Sequence, residues 1–425
     1  VRLYRPIAGG IGVADEERTG GYMRSLRAFN FGGALVIAVV SIGCAGASGA
    51  ARPAVVSPVE PATTPPAPEG VNPFAGARLY VNPDYAEAVR GVEAAHPSEA
   101  ALLKKVESLP TAIWLSWISD TRQVPRYLDD AAAQQKTVGQ PVVSVFVVYD
   151  LPGRDCAAES SAGELDANEA GEARYQHDYV DVIAAAFRAH PDQRIAAILE
   201  PDSLSNLVTN LELPKCKAAE GFYKRGIAYA ISKLSLPNVF LYLDAAHAGW
   251  LGWPKNLARS VPLYKEVLTM AGGADRIRGF ALDVSNYDPA SDPTAPPRVP
   301  NYAASDEVGY AGDLRKGLAA AGITGKGFVI DTGRDGRANI RTAAGNWCNV
   351  KGAGLGERPR ASPAPTIDAY LYIKVPGESD GTSDPNAPRF DVNCASDDAA
   401  PNAPQAGKMF DSFLIDLLKN ANPPL

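Results

Sequence analysis

Seven short apolar runs, largely β-branched, recur along this chain at 111–117, 141–149, 194–199, 238–243, 277–284, 326–331 and 368–374. Amphipathic stretches at 175–189, 218–234, 263–271 and 306–321 lie between them. Runs of this length bounded by polar residues read as strands buried on both faces. Their alternation with helical periodicity predicts an α/β fold, a parallel sheet with helices outside it. Polar or acidic residues stand at the ends of the runs: Ser116, Asp150, Glu200, Asp244, Asn286, Asp331 and Lys374. One rim carrying the chemistry favours a closed or nearly closed barrel over an open sheet. Seven strands are one fewer than usual, so either an eighth lies near 78–81 or the ring is incomplete.

The 425 residues divide unevenly. Residues 23–50 read as an export signal, with Met23, Arg24 and Arg27 ahead of ALVIAVVSIG and small residues around Cys44. Its apolar core is too short to span a bilayer comfortably. Residues 1–22 carry no pattern and are read as preceding the true start. Residues 51–71, dense in proline, predict an extended tether. The barrel domain then occupies 72–425, with no internal repeat. Cys44 ends a lipobox-like SIGC, so a lipid anchor and ordinary cleavage after a small residue both stand as readings. An exported, secreted or surface-anchored protein can hold disulfides. Cys156, Cys216, Cys348 and Cys394 allow three pairings, and sequence neighbours suggest Cys156 with Cys216 and Cys348 with Cys394.

Chemistry concentrates after three strands. IAAILEPDSLSNLVTN places Asp202 at a strand tip that turns into a helix, VFVVYDLPGRDCAAESSAGE brings Asp155, and AYLYIKVPGESDGTSDPNAPRFD brings Asp380. Converging carboxyl groups are what glycosidic cleavage requires. Two other readings compete. Asp202 is also well placed to cap a helix, which would lower its pKa, and Asp380 could form an Asx-turn. To act as an acid, Asp202 must instead be lifted toward neutrality, roughly 2.7 kcal/mol of differential interaction, and Asp155 is the neighbouring anion that can do this.

Trp114, Trp250, Trp253 and Trp347 fall where rim loops belong, and flat indoles suit the apolar faces of sugar rings. A formal charge of −7 argues against a nucleic-acid partner. His247 belongs to no HExxH or paired Cys/His pattern, GxSxG is absent, and no phosphate-binding glycine loop follows a strand. The expectation is acid/base hydrolysis without cofactor or metal.

The blocks VVYDLPGRDCAA, ILEPDSLSNLVTNLELPKC, YLDAAHAGWLGWP, NWCNV and IKVPGESDGTSDPNAPRFD resemble glycoside hydrolase family 6, the inverting cellobiohydrolases and endoglucanases, across residues 72–425. The resemblance implies a distorted seven-stranded parallel β/α barrel with long rim loops forming a tunnel or cleft. It implies Asp202 as proton donor, Asp155 as the group holding its pKa up, Tyr149 crowding the sugar, Ser161 positioning water, and Asp380 as the family's disputed base. Substrate contacts are implied for Trp114, Trp250, Trp253, Trp347, Lys374, Glu378, His247 and Asn286, with cellulose and cello-oligosaccharides as partners of a monomeric enzyme. Ser116 and Ser379 depart from fungal members, which carry Asp and Cys there.

The long segment 374–407, opposed by 153–172, favours a tunnel and therefore a cellobiohydrolase working from non-reducing ends. An endoglucanase is the alternative within the family. A glucan-binding surface lipoprotein without activity is the alternative outside it.

Overall fold

The computed structural model describes residues 70–292, 303–343 and 345–425; the export signal, Cys44 and nearly all of the proline-rich tether lie outside the described residues. Among the described residues nine strands form one sheet: β1 (Arg78–Leu79), β2 (Ile113–Leu115), β3 (Val142–Val148), β4 (Arg194–Leu199), β5 (Val239–Asp244), β6 (Gly279–Leu282), β7 (Gly327–Asp331), β8 (Arg360–Ala364) and β9 (Ile367–Leu371). The order is β1-β3-β4-β5-β6-β7-β9-β8, with β2 also pairing β3. The seven expected runs are β2 to β7 and β9, and every pairing among them is parallel.

Their continuous apolar character follows from burial on both faces. In β3, Val143, Val145 and Val147 point inward and join Ile198, Phe240 and Val329 in an interior cluster. Val142, Phe146 and Val148 point outward to the layer beneath the helices, with Ile183, Phe187 and Ile231. The period of two therefore divides one apolar run between two cores. Phe74 joins the interior cluster, its ring 6.2 Å from Tyr242. Arg194, at the start of β4, donates to the Pro73 carbonyl at 2.8 Å, which places Phe74 at the end opposite the rim. Gly279 and Gly327 lie opposite one another, and a Cβ on Gly279 would meet the Gly327 carbonyl oxygen at 1.8 Å, so the approach of β6 to β7 demands glycine.

Among the described residues no strand ladder closes the ring. β1 and β2 share one edge of β3, β1 facing Val142 and Val143, β2 facing Phe146 to Val148. The strand expected near 78–81 thus exists but prolongs an edge instead of adding a stave. At the rim, β2 and β9 meet through the Ala112 amide on Tyr372 O (2.9 Å) and the Trp114 indole N–H on Ile373 O (2.8 Å). β8 lies antiparallel beside β9 and carries RASPA, a polar run with a proline that only an edge strand accepts.

Helices cover the outer face. The 175–189 stretch is part of a longer element, Glu169–Arg174, Tyr175–Val180 and Asp181–Ala189, whose middle turn is a π-helix. That turn sets Tyr175 and Tyr179 beneath the rim: Tyr175 donates to Glu200 Oε1 at 2.7 Å, and the Tyr149 amide donates to the Tyr179 hydroxyl at 2.8 Å. Insertions of this kind often mark functional positions. Disulfides join Cys156 to Cys216 and Cys348 to Cys394, as sequence neighbours suggested.

Candidate active site

Three residues with a left-handed backbone and no glycine among them, Asp155, Glu200 and Asp202, stand just beyond β3 and β4 (φ 54°, 52° and 64°). Such conformations cost energy and cluster at sites that the surrounding packing holds in place. Glu200 supplies part of that hold. Its buried carboxylate accepts the amides of Asp150 and Leu151, both at 3.3 Å, and the Tyr175 hydroxyl, so it brackets the loop after β3. Burial, working against those hydrogen bonds, pushes its pKa up to about 7. Glu200, half of the acid pair that marks the motif in sequence, is therefore a scaffold.

Asp202 precedes the helix Ser203–Thr209, yet its side chain makes no capping hydrogen bond. The capping alternative is set aside: the left-handed backbone turns the carboxyl away from the free amides. Its own amide donates to Asp244 Oδ2 at 3.1 Å. Burial, then the charges of Asp155, Asp244 and Asp380, raise the Asp202 pKa well above the carboxylate range. Asp155 is raised by burial too, but the Ser161 and Tyr149 hydroxyls both donate to its Oδ2, and they and Arg154 favour its charged form. Of these two coupled acids, the one with donors keeps the charge and the one without keeps the proton.

Asp380 is the opposite case. Arg334 Nη1 lies at 2.6 Å, Lys374 Nζ at 3.2 Å, the Asn349 amide at 2.8 Å and the Tyr287 hydroxyl at 3.2 Å. Against its burial, these partners lower its pKa. It is an ionised carboxylate, with three donors on Oδ2 and Lys374 on Oδ1.

A single cavity of about 1260 Å³ is lined by Tyr149, Asp155, Ser161, Asp202 and Asp380, together with Trp114, Trp250, Trp347, Lys374, Glu378, His247 and Asn286. Its volume exceeds the usual small-ligand range and suits several linked rings. Trp114 meets Tyr149 edge-on with centroids 5.2 Å apart. Burial pushes the Glu378 carboxyl up to about 7. His247 Nδ1 lies 2.7 Å from Asp288 Oδ2. Trp253 does not line the cavity; it is 41% exposed and donates to the Gly249 carbonyl.

Four contributors escaped the sequence. Asp244 is pushed up to about 7 by burial and charges the site beneath Asp202. Arg154 stacks over Tyr149 at 4.3 Å and holds the Ser161 carbonyl at 2.8 Å, shaping the loop that carries Asp155. Arg334 and Tyr287 hold Asp380. These contacts of Arg154 are local, whereas those of Asp244, Arg334 and Tyr287 join residues far apart in sequence.

The family model described as Glycosyl hydrolases family 6 matches residues 74–421. The chain belongs to that family. It is a glycoside hydrolase. Among relatives of this family 6 enzyme, Exoglucanase 3 of Agaricus bisporus is 41% identical over 357 residues, 83% of this chain and 80% of that protein. Among solved structures, the CcCel6A catalytic domain complexed with p-nitrophenyl β-D-cellotrioside is 45% identical, with a TM-score of 0.79 over 84% of this chain and 99% of that one. Cellobiohydrolase II from Humicola insolens, in complex with glucose and cellotetraose, is 37% identical, with a TM-score of 0.79 over 84% and 100%. The distorted barrel is the fold these family members share with it.

Proposed function

We propose that this family 6 hydrolase cleaves β-1,4-glucosidic bonds of cellulose with inversion, releasing cellobiose from non-reducing chain ends. The observation that carries the reading is the Asp202 carboxyl: it lines the cavity, has no capping bond, and has its pKa raised by burial and by the anions around it. The names of the relatives, exoglucanase and cellobiohydrolase, and the cello-oligosaccharides bound in the neighbours support the substrate.

In this mechanism Asp202 gives its proton to the glycosidic oxygen as the bond to the anomeric carbon breaks, and water adds to that carbon from the opposite face. The proton released by the water passes to Asp155, by way of the Ser161 hydroxyl or a second water. Asp380, held in its charged form by Arg334, Lys374 and the Asn349 amide, contributes charge instead of accepting that proton. Tyr149 crowds the sugar at the cleavage point, and the Trp114, Trp250 and Trp347 indoles supply ring-stacking surfaces.

Enclosure supports the exo mode. The loop after β3 and the loop after β9 meet where the Glu159 amide donates to Asp391 Oδ2 at 2.8 Å, and each is tethered by a disulfide. A roofed passage admits a chain end more readily than a chain middle. The disulfides also fit a secreted enzyme. The test compares soluble cellobiose released from crystalline cellulose with cutting of a dyed, internally cross-linked glucan, and follows the anomer produced from a cello-oligosaccharide. Cellobiose in excess, born as the α-anomer and abolished in Asp202→Ala, is the expected result. Equal cutting of the dyed polymer overturns the exo reading, and a β-anomer overturns inversion.

A further inference from the structure

Beside the cavity wall, His247 meets three carboxylates that the hydrolytic mechanism does not use. One ligand-capable atom from each of His247, Asp283, Asp288 and Glu307 lies within 4.8 Å of the others. They come from separate places in the chain: the loop after β5, the loop after β6, and the start of the helix Glu307–Ala320. No local spacing could reveal them, which is why His247 matches no metal motif in the sequence.

Asp288 is well supplied. Its Oδ2 takes the Gly249 amide at 2.7 Å and faces His247 Nδ1, and its Oδ1 pairs with Arg341. Asp283 and Glu307 are only half satisfied. Asp283 Oδ1 accepts the Asp288 amide at 3.2 Å and Glu307 Oε1 accepts the Ala248 amide at 2.7 Å, while Asp283 Oδ2 and Glu307 Oε2 have no hydrogen-bond partner among the described residues. These residues are 1% and 0% exposed. Two carboxylate oxygens without partners, sealed from water, are expensive unless something positive or a proton lies between them.

From this geometry we infer a buried divalent-cation site formed by His247, Asp283, Asp288 and Glu307. Three carboxylates against the one Arg341 guanidinium leave two negative charges, which a single divalent cation cancels. Oxygen and nitrogen ligands around one Zn²⁺ span up to about 4.4 Å, so the group, with its atoms within 4.8 Å of one another, needs a shift of a few tenths of an ångström to close on the ion. A mixed set of imidazole and carboxylates suits Mn²⁺ or Zn²⁺ better than Mg²⁺. Bound there, the ion ties the loops after β5 and β6 to the helix and fixes His247 at the cavity wall.

The test strips the full chain with a chelator, then titrates Mn²⁺ and Zn²⁺ by calorimetry and counts bound metal by mass spectrometry. One cation per chain is expected, with a higher melting temperature, and Asp283→Asn and Glu307→Gln should each weaken binding by about 100-fold or more. The spin-resonance spectrum of Mn²⁺ on the wild-type protein should show coupling to an imidazole nitrogen, a readout that needs no variant to fold. No uptake at millimolar metal, variants that bind like the wild type, or a spectrum without nitrogen coupling overturns the inference; the two acids then share protons alone.

Discussion

Arg334 and Asp380 form an ion pair of 2.6 Å in which the two side chains are only 1% and 6% exposed. Removing one member of such a pair strands the other in a medium that cannot solvate it. Asp380→Asn is therefore expected to lose about 3 to 5 kcal/mol of stability in a denaturant titration. Adding Arg334→Met should return part of that loss, since the stranded guanidinium is then gone and only Lys374 lacks its partner.

Asp202→Asn keeps the shape of the side chain and removes its transferable proton. Turnover of cello-oligosaccharides should fall by about 10²- to 10⁴-fold with little change in KM. An aryl glycoside whose leaving group needs no protonation should lose far less. Steady-state kinetics on the two substrates, side by side, checks this.

Asp155→Asn takes away an anion that helps raise the Asp202 pKa. With that charge gone, Asp202 releases its proton at lower pH. The alkaline limb of the kcat/KM profile should therefore move toward acid, in addition to an overall drop in rate. An unmoved limb would show that Asp155 does not set the donor's protonation.

Glu200 has a folded-state pKa of about 7, above the ordinary 4.5. Its protonated form is the one the fold prefers, so its contribution is fully present below about pH 4.5 and is lost as pH rises through 7. Linkage puts that loss at about 3 kcal/mol. In Glu200→Gln the fall in stability between pH 4.5 and 8 should be shallower than in the wild type, measured as unfolding free energy at each pH.

The two disulfides close spans of 60 and 46 residues. Chain entropy assigns each about 4 kcal/mol. Replacing either pair with serines should lower the denaturant midpoint accordingly. Reducing both should also increase cutting of the dyed polymer relative to cellobiose release, as the tethered loops are freed.

The strands were readable because double-sided burial leaves uninterrupted apolar runs in sequence, and β3 shows this most plainly. β8 was not, because an edge strand with Pro363 and Ser362 carries no such run. At the site, Asp155, Asp202 and Asp380 were visible through their strand-end loops. The capping alternative for Asp202 could be dismissed only once its backbone proved left-handed, a fact that no neighbouring residue encodes. Arg334 and Asp244 act through contacts 46 and 42 positions away in sequence, and tertiary folding alone brings those together. Trp253 had the same local signature as Trp250, and only the course of the loop separates the exposed indole from the one at the cavity.

The junction of Glu159 with Asp391 has one further consequence for how a polymer is admitted. It rests on a main-chain amide donating to a buried carboxylate, Asp391 being 5% exposed, so parting it means hydrating one oxygen. A fibre interior that cannot be threaded could still be seized whenever that bridge lifts, and the balance between nibbling at ends and biting in the middle becomes an adjustable property of two loops, independent of the acids below them.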